Sequence, residues 1–367
     1  MTGRRVLLSA LLVGVLAAVA VQAAGAREAA KVRTLLTTKS SIRAFAQESG
    51  RIGWIGAKWH VDVRGTGRRP KTVLVGTAWP NPRSDGGARP QLALAGGRVA
   101  WTRHGGGNDF ETAVWARKAG SRTSARMVFL TAADREERTG SYFGGIAAAG
   151  STLAYTAVHY DCADPNDCVK LAEQPSPGSG TFVLEGTSRG NEVPNAPGAL
   201  ALAVSGRRVA LLPAPTTVDV TKVGDVSSPS LAAPGTTVEI RDLTTGALVA
   251  RFTPPGTVRA LALSGTVAAV VDELGDGTRS IDRFDATTGA SLGTTPGIAV
   301  GDSLSVSGGT LVFAVGRKIE AMDATTGAQR VLAMSPGAPI GLSVAGKRVA
   351  WAVNVHGHGR VLALTLP

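Results

Sequence analysis

A phrase of two apolar-alternating segments joined at a glycine recurs seven times, and no other feature limits so strongly what this chain can fold into. The copies are Ile42–Gly56, Leu92–Arg103, Ile146–Ala157, Leu200–Pro213, Ala260–Asp272, Leu304–Gly316 and Leu342–Asn354. Aligned on one apolar residue they fall at Ile52, Val99, Leu153, Val209, Val267, Leu311 and Val349, spaced by 47, 54, 56, 58, 44 and 38 residues. Alternation with period two marks half-buried strands, and Gly or Ser-Gly between them predicts a tight turn. Two positions past the anchor stand Trp54, Trp101, Tyr155, Leu211, Ala269, Phe313 and Trp351. A step of two keeps that side chain on the anchor's face. Large rings there are expected to fill the space between packed sheets; a platform for an aromatic ligand is the alternative.

A second phrase, Asp-x-Thr-Thr-Gly-Ala, occupies Asp242–Ala247, Asp285–Ala290 and Asp323–Ala328. The residues on either side alternate, so each copy reads as a hairpin tip in which Asp accepts from turn amides and Gly supplies a positive φ. No helix pattern follows, so a phosphate cradle at a helix N-terminus lacks its second half. The tips join the third and fourth strands of a repeated four-stranded unit. Seven such units predict an all-β, seven-bladed β-propeller spanning residues 27–367 as one domain. The last copy offers only three strands, and Ala30–Thr38 resembles the missing outer one. The N-terminal strand is therefore expected to close the ring, which removes two open sheet edges. A solenoid of stacked sheets is the alternative and needs no such closure.

Arg4 and Arg5 precede an apolar run, Val6–Val21, and small residues at Val21–Ala23 and Ala24–Ala26 follow. Residues 1–26 read as a signal peptide, and the 16-residue run is short of the roughly 20 needed to span a bilayer. The expected location is secreted or extracytoplasmic, at the cell envelope, with no stable membrane insertion after cleavage. An uncleaved anchor is the alternative. From residue 27 onward the chain carries 37 Lys and Arg against 27 Asp and Glu, a net charge of +10. Such a chain is drawn to anionic material. The cations are scattered along the sequence without a basic stripe or interleaved aromatics, which argues against nucleic acid.

The Asp-Ala-Thr-Thr-Gly tips resemble the quinoprotein propeller repeat of pyrroloquinoline-quinone dehydrogenases and of an outer-membrane assembly propeller. Gly96–Trp101 and Gly346–Trp351 resemble the Trp-Asp-like (WD40-like) repeats of the Tol-system periplasmic propeller. These resemblances imply a propeller throughout residues 27–367. The tips continue without the Trp of the quinoprotein repeat, and neither an adjacent Cys pair nor a calcium-holding acid cluster accompanies them. The non-catalytic branch is the one expected.

Candidate ligand-face residues are His60, His104, His159, His356 and His358. All lie just past the second strand of copies 1, 2, 3 and 7, which become neighbours once a ring closes. Imidazoles there suit a transition metal or, protonated, an anion; ordinary exposed turns are the bland alternative. Cys162 and Cys168 suit a disulfide in an oxidising compartment. Asp161, Asp164, Asn166 and Asp167 in the same loop are oxygen donors of the kind calcium prefers, although a plain turn has the same composition. No other cofactor is expected. Two long polar excursions, 170–182 and 214–235, add to the same face, where partner contact and passive length weigh equally. The expected function is a monomeric, non-catalytic binding or scaffolding module that presents one loop face to an envelope protein or anionic wall polymer. The alternative is a quinoprotein-type or metal-dependent lactonase-type enzyme working at the channel mouth.

Overall fold

The computed structural model describes residues 31–366, apart from 69, 79–89, 107–108, 122–123, 135–139, 165–166, 171–179, 188–189, 215–216, 219–234 and 299. For 105–106, 109–110, 131–134, 140–142, 160–164, 167–170, 217–218 and 302 the backbone alone is described. The expected signal segment, 1–26, lies outside these residues. All regular structure among the described residues is β-strand, arranged as a seven-bladed propeller.

Blade 1 runs Ile42–Glu48, Arg51–Gly56, His60–Gly65 and Thr72–Thr77, antiparallel throughout. Blade 2 is Leu92–Ala95, Arg98–Gly106, Asp109–Lys118 and Arg126–Asp134; blade 3 is Gly140–Ala149, Thr152–Asp164, Gly180–Val183 and the short Asn191–Glu192. Blade 4 is Ala199–Ser205, Arg208–Pro213, Val238–Asp242 and Leu248–Phe252. Blades 5 and 6 follow with Thr257–Ser264, Val267–Glu273, Arg279–Asp285 and Ser291–Thr295, then Val300–Ser307, Thr310–Val315, Lys318–Asp323 and Gln329–Met334. Blade 7 takes Pro339–Ala345, Arg348–Val355 and His358–Thr365 from the C-terminal end and Arg33–Thr37 from the N-terminal end. First strands line the channel and fourth strands form the rim. First-to-second and third-to-fourth turns share one end of the ring, the turn face. Second-to-third connections lie at the other, the loop face.

The expected closure is present. Arg33 pairs with Ala363 and Thr37 with Arg360, and the seam is sealed by side chains as well. Ile42 N donates to Asn354 Oδ1 at 2.8 Å while Asn354 Nδ2 donates to Ile42 O at 2.9 Å, so one amide side chain imitates a sheet neighbour. Arg348 Nε donates to Gln47 Oε1 at 2.9 Å and its Nη2 to Glu48 O at 2.6 Å. Leu36, Ile42, Ile52, Trp54 and Val361 then form an apolar cluster across blades 7 and 1.

Among the described residues there is one such cluster at each of the seven blade interfaces. The seven anchor residues are buried, and so are all seven residues two positions beyond them, from Trp54 at 5% exposure to Trp351 at zero. The rings are core, as period-two geometry requires.

The repeated tips do more than reverse the chain. Asp285 Oδ1 accepts from Thr287 N at 2.7 Å and Thr288 N at 2.9 Å, and Gly289 takes a φ of 78°. Asp242 and Asp323 hold the same bonds with their own threonines. A Cβ on Gly246 would lie 1.5 Å from Pro194 O, and one on Gly289 2.1 Å from Arg251 O. In both tips the glycine therefore lets the turn press its backbone against the preceding blade.

Two features depart from seven separate sheets. Blades 2 and 3 are joined through the single bridge Gly140–Ala133 into one ten-stranded sheet. Blade 3's second strand continues past its own blade, pairs with Asp167–Lys170 in a hairpin, and that hairpin pairs in turn with Thr217–Val218 from blade 4. The excursion 214–235 thus pairs with the hairpin that precedes 170–182; most of both excursions lies outside the described residues.

Candidate functional site

At the turn face a cavity of about 810 Å³ is bounded by the first strands and their turns. Its walls are small or apolar, such as Ala148, Val204 and Val344, with serines such as Ser264 and Ser305 between them. Several of these serines are occupied: Ser264 Oγ accepts from Gly308 N and Ser205 Oγ from Gly265 N, both at 3.0 Å, bonding each blade to the next. Charge enters at blade 1, where Glu48 Oε1 accepts from Arg51 at 2.8 Å and Oε2 from Gly97 N at 3.2 Å. A second cavity of about 340 Å³ opens toward the loop face, with Gln91, Gly144, Gly145 and Arg259 on its wall. Gln91 Oε1 accepts from Ile146 N at 3.0 Å, so that polar group is also satisfied within the wall.

The loop face is uneven. The long strands Asp109–Lys118, Arg126–Asp134, Gly140–Ala149 and Thr152–Asp164 raise blades 2 and 3 into a crest, whereas blades 5 and 6 end in short connections. On blade 1, Trp59 turns the chain with a left-handed φ of 62° and is nonetheless buried. A bulky residue in that region costs roughly 1–2 kcal/mol; apolar contact with Val61 and Val75 offsets it. Arg43 lies 4.2 Å above its ring.

The five histidines do not occupy equivalent places. His60 opens the third strand of blade 1 and is exposed; His356, with φ 50°, and His358 are exposed at the same end of blade 7. His104 is buried within blade 2, hydrogen-bonded with Thr102 Oγ1 at 3.2 Å and Thr112 Oγ1 at 3.0 Å. His159 is half-buried in blade 3 opposite Ser141. Among the described residues no three His, Cys, Asp or Glu side chains gather as a metal would require. The backbone register sets Cys162 opposite Cys168 and Asp164 opposite Asp167. Their side chains, that of Asp161 and the whole of Asn166 lie outside what is described.

Sequence reasoning missed a pair of buried carboxyls in blade 5. Asp272 and Asp282 are 0% and 2% exposed and lie diagonally on one sheet face, Asp272 being paired with Ser280. Gly256 N donates to Asp272 Oδ2 at 2.8 Å, while Oδ1 has no donor among the described residues. Burial, and then the neighbouring Asp282 carboxyl, push Asp272 above the ordinary carboxylate range, against the Gly256 bond. A raised carboxyl contributes stability that is complete below its unfolded value near 3.8 and lost as pH rises through the folded one. Asp272→Asn is therefore expected to melt with wild type in acid and progressively above it toward neutral pH. Melting curves of both chains across that range check this; parallel curves would count against it. The tip residues Asp242, Asp285 and Asp323 act oppositely. Turn amides hold them below the usual range, so their contribution is lost as pH falls below 3.8 toward their lowered folded values.

Also missed was the residue just before the anchor. Arg98 Nη1 donates to Leu184 O at 2.7 Å and its Nη2 to Ser151 O, and Arg348 crosses the closure seam likewise. The recurrent Gly-Arg and Gly-Lys-Arg of the repeat was the available signal.

The chain matches no known family profile and no curated protein. Its fold is similar to the WD40 domain of Neurospora crassa Pan2, at 12% identity over 92% of this chain and 97% of that one, with a TM-score of 0.51. The WD40 propeller of Doa1 aligns at 10% identity over 91% and 97% with a TM-score of 0.50. A chain of the mitotic checkpoint complex aligns at 12% identity over 90% and 93%, also at 0.50. At such identities the likeness is one of fold.

Proposed function

We propose that this chain is an exported, non-catalytic binding or scaffolding propeller that presents its loop face to a protein of the cell envelope. The observation that carries the reading is the contrast between the channel and that face. The channel wall is mostly small and apolar with serines that bond blade to blade, whereas the chain spends its extra length on the crest of blades 2 and 3. Function on propellers and similar scaffolds concentrates in the loops that a rigid frame positions. The WD40 domains to which the fold is similar fit such a role by analogy of architecture alone.

The test is site-specific photo-crosslinking in cells that export the chain. A crosslinker at the loop-face positions Lys58 and His356 is expected to yield one discrete protein adduct, and a crosslinker at the turn-face positions Thr288 and Thr326 none. Adducts of equal yield from both faces, or none from either, would end this reading.

A further inference from the structure

The positive charge, scattered along the sequence, is gathered in space. Residues 31–134 and 339–367, which span blades 7, 1 and 2, carry 21 Lys and Arg against six Asp and Glu, a net +15. Residues 135–338, which span blades 3 to 6, carry 15 against 20, a net −5. Ring closure places the first and last segments side by side, so the basic part is one continuous sector. Among the described ion pairs only Arg51–Glu48 falls within it; the others belong to blades 4 and 5. The Nη donors of Arg117 and Arg348 go to backbone carbonyls and the Thr66 hydroxyl, which leaves their charge in place.

On the rim of this sector each outer strand shows the same association. Val32, 37% exposed, lies between exposed Lys31 and Arg33 on blade 7. Leu74, 52% exposed, follows exposed Lys71 on blade 1. On blade 2, Met127 and Leu130 follow exposed Arg126 and are 51% and 46% exposed. Three adjacent strands thus offer cations and, one to four residues away, large apolar side chains.

We propose that the outer rim of blades 7, 1 and 2 is a docking surface for an anionic lipid bilayer. Lys31, Arg33, Lys71 and Arg126 meet the phosphates, and Val32, Leu74, Met127 and Leu130 enter the acyl boundary. A soluble polyanion accounts for the cations and leaves the apolar side chains without a partner, whereas the interface of a bilayer takes both. Blade 6 also exposes Val331 and Met334 beside Arg330, but as a single strand in the part of the ring whose net charge is negative; three such strands side by side in a basic sector occur at blades 7, 1 and 2. This surface is separate from the loop face, and the exported reading bears only on which membrane it meets.

Vesicle co-sedimentation of residues 27–367, which include every described strand, tests the proposal. Binding to vesicles containing phosphatidylglycerol, and not to pure phosphatidylcholine, is expected, weakening about tenfold or more from low salt to roughly 0.5 M. Lys31→Glu, Lys71→Glu and Arg126→Glu together should weaken it at least about tenfold. The matched set Arg251→Glu, Lys318→Glu and Arg330→Glu, exposed residues of blades 4 and 6, should leave it within about twofold. In a Met127→Trp chain the tryptophan emission should shift to the blue on vesicles and stay unchanged with long-chain polyphosphate. Equal loss from both charge sets overturns the sector, and polyphosphate competition without any emission shift overturns the bilayer. Neither outcome alters the crosslinking result, which reads a different face.

Discussion

A chain begun at Ser41, lacking the strand Arg33–Thr37, is expected to lose its compact monomeric form. Blade 7 would keep three strands and expose the ladder groups of His358–Thr365 that now pair with the N-terminal strand. Leu36, buried at 7% exposure, would no longer cover Ile42 and Val361. Leu36→Ala alone should cost about 2–5 kcal/mol, the usual range for emptying a buried leucine site. The deletion adds the unmade backbone bonds and a bare sheet edge that recruits other chains. Size-exclusion chromatography should show oligomers, and the melting transition should fall or broaden. A synthetic peptide of residues 27–40 added in trans should restore both. A shortened chain that stays monomeric and melts like the parent would rule out closure as a main source of stability.

The second large effect belongs to Trp101. Its ring is 1% exposed, donates through Nε1 to Thr77 O at 2.9 Å, and lies so close to Gly76 that a Cβ there would be 2.3 Å from it. Trp101→Ala should cost about 3–5 kcal/mol. Gly76→Ala should cost about 1–3 kcal/mol by overpacking, since ring and strand must move apart. The two residues touch, so their effects should not add. In the double variant the alanine methyl enters space the ring has left, and the loss should be smaller than the sum. Denaturant titration of the four chains gives the coupling directly. Strict additivity would mean that the ring is seated by the rest of its pocket rather than by the missing side chain of Gly76.

Most of this architecture was legible before any coordinates. Period-two alternation around a turn glycine fixes the strands, and seven anchors fix the number of blades. The residue two places on, from Trp54 to Trp351, must share the anchor's buried face. Even the borrowed strand could be read, because the last copy stops one strand short. What was not legible depends on proximity in three dimensions. The bridge from Ala133 to Gly140 joins strands whose alternation gives no hint that they also pair across a blade boundary. The Asp272–Asp282 pair consists of two ordinary acids until a register places them on one face. His104 follows the same rule as His60 in sequence yet points into a hydroxyl network, because the strand of blade 2 continues past the usual turn. The charge was counted correctly as a total and read as scattered, since its segregation exists only around a closed ring.

That ring has a further consequence for how the molecule is made. Arg33 and Ala363 are neighbours, so the contact that closes the ring joins the first described strand with the last, more than 300 residues away along the chain. Bringing such distant points together from an unfolded chain is slow, because the search grows with the length enclosed. If the blades stack in order, the search shrinks to a short movement of one strand into a waiting slot. The rate-limiting species is then an open ring with two raw edges, and it is at this stage, not in the finished protein, that the chain is most exposed to self-association.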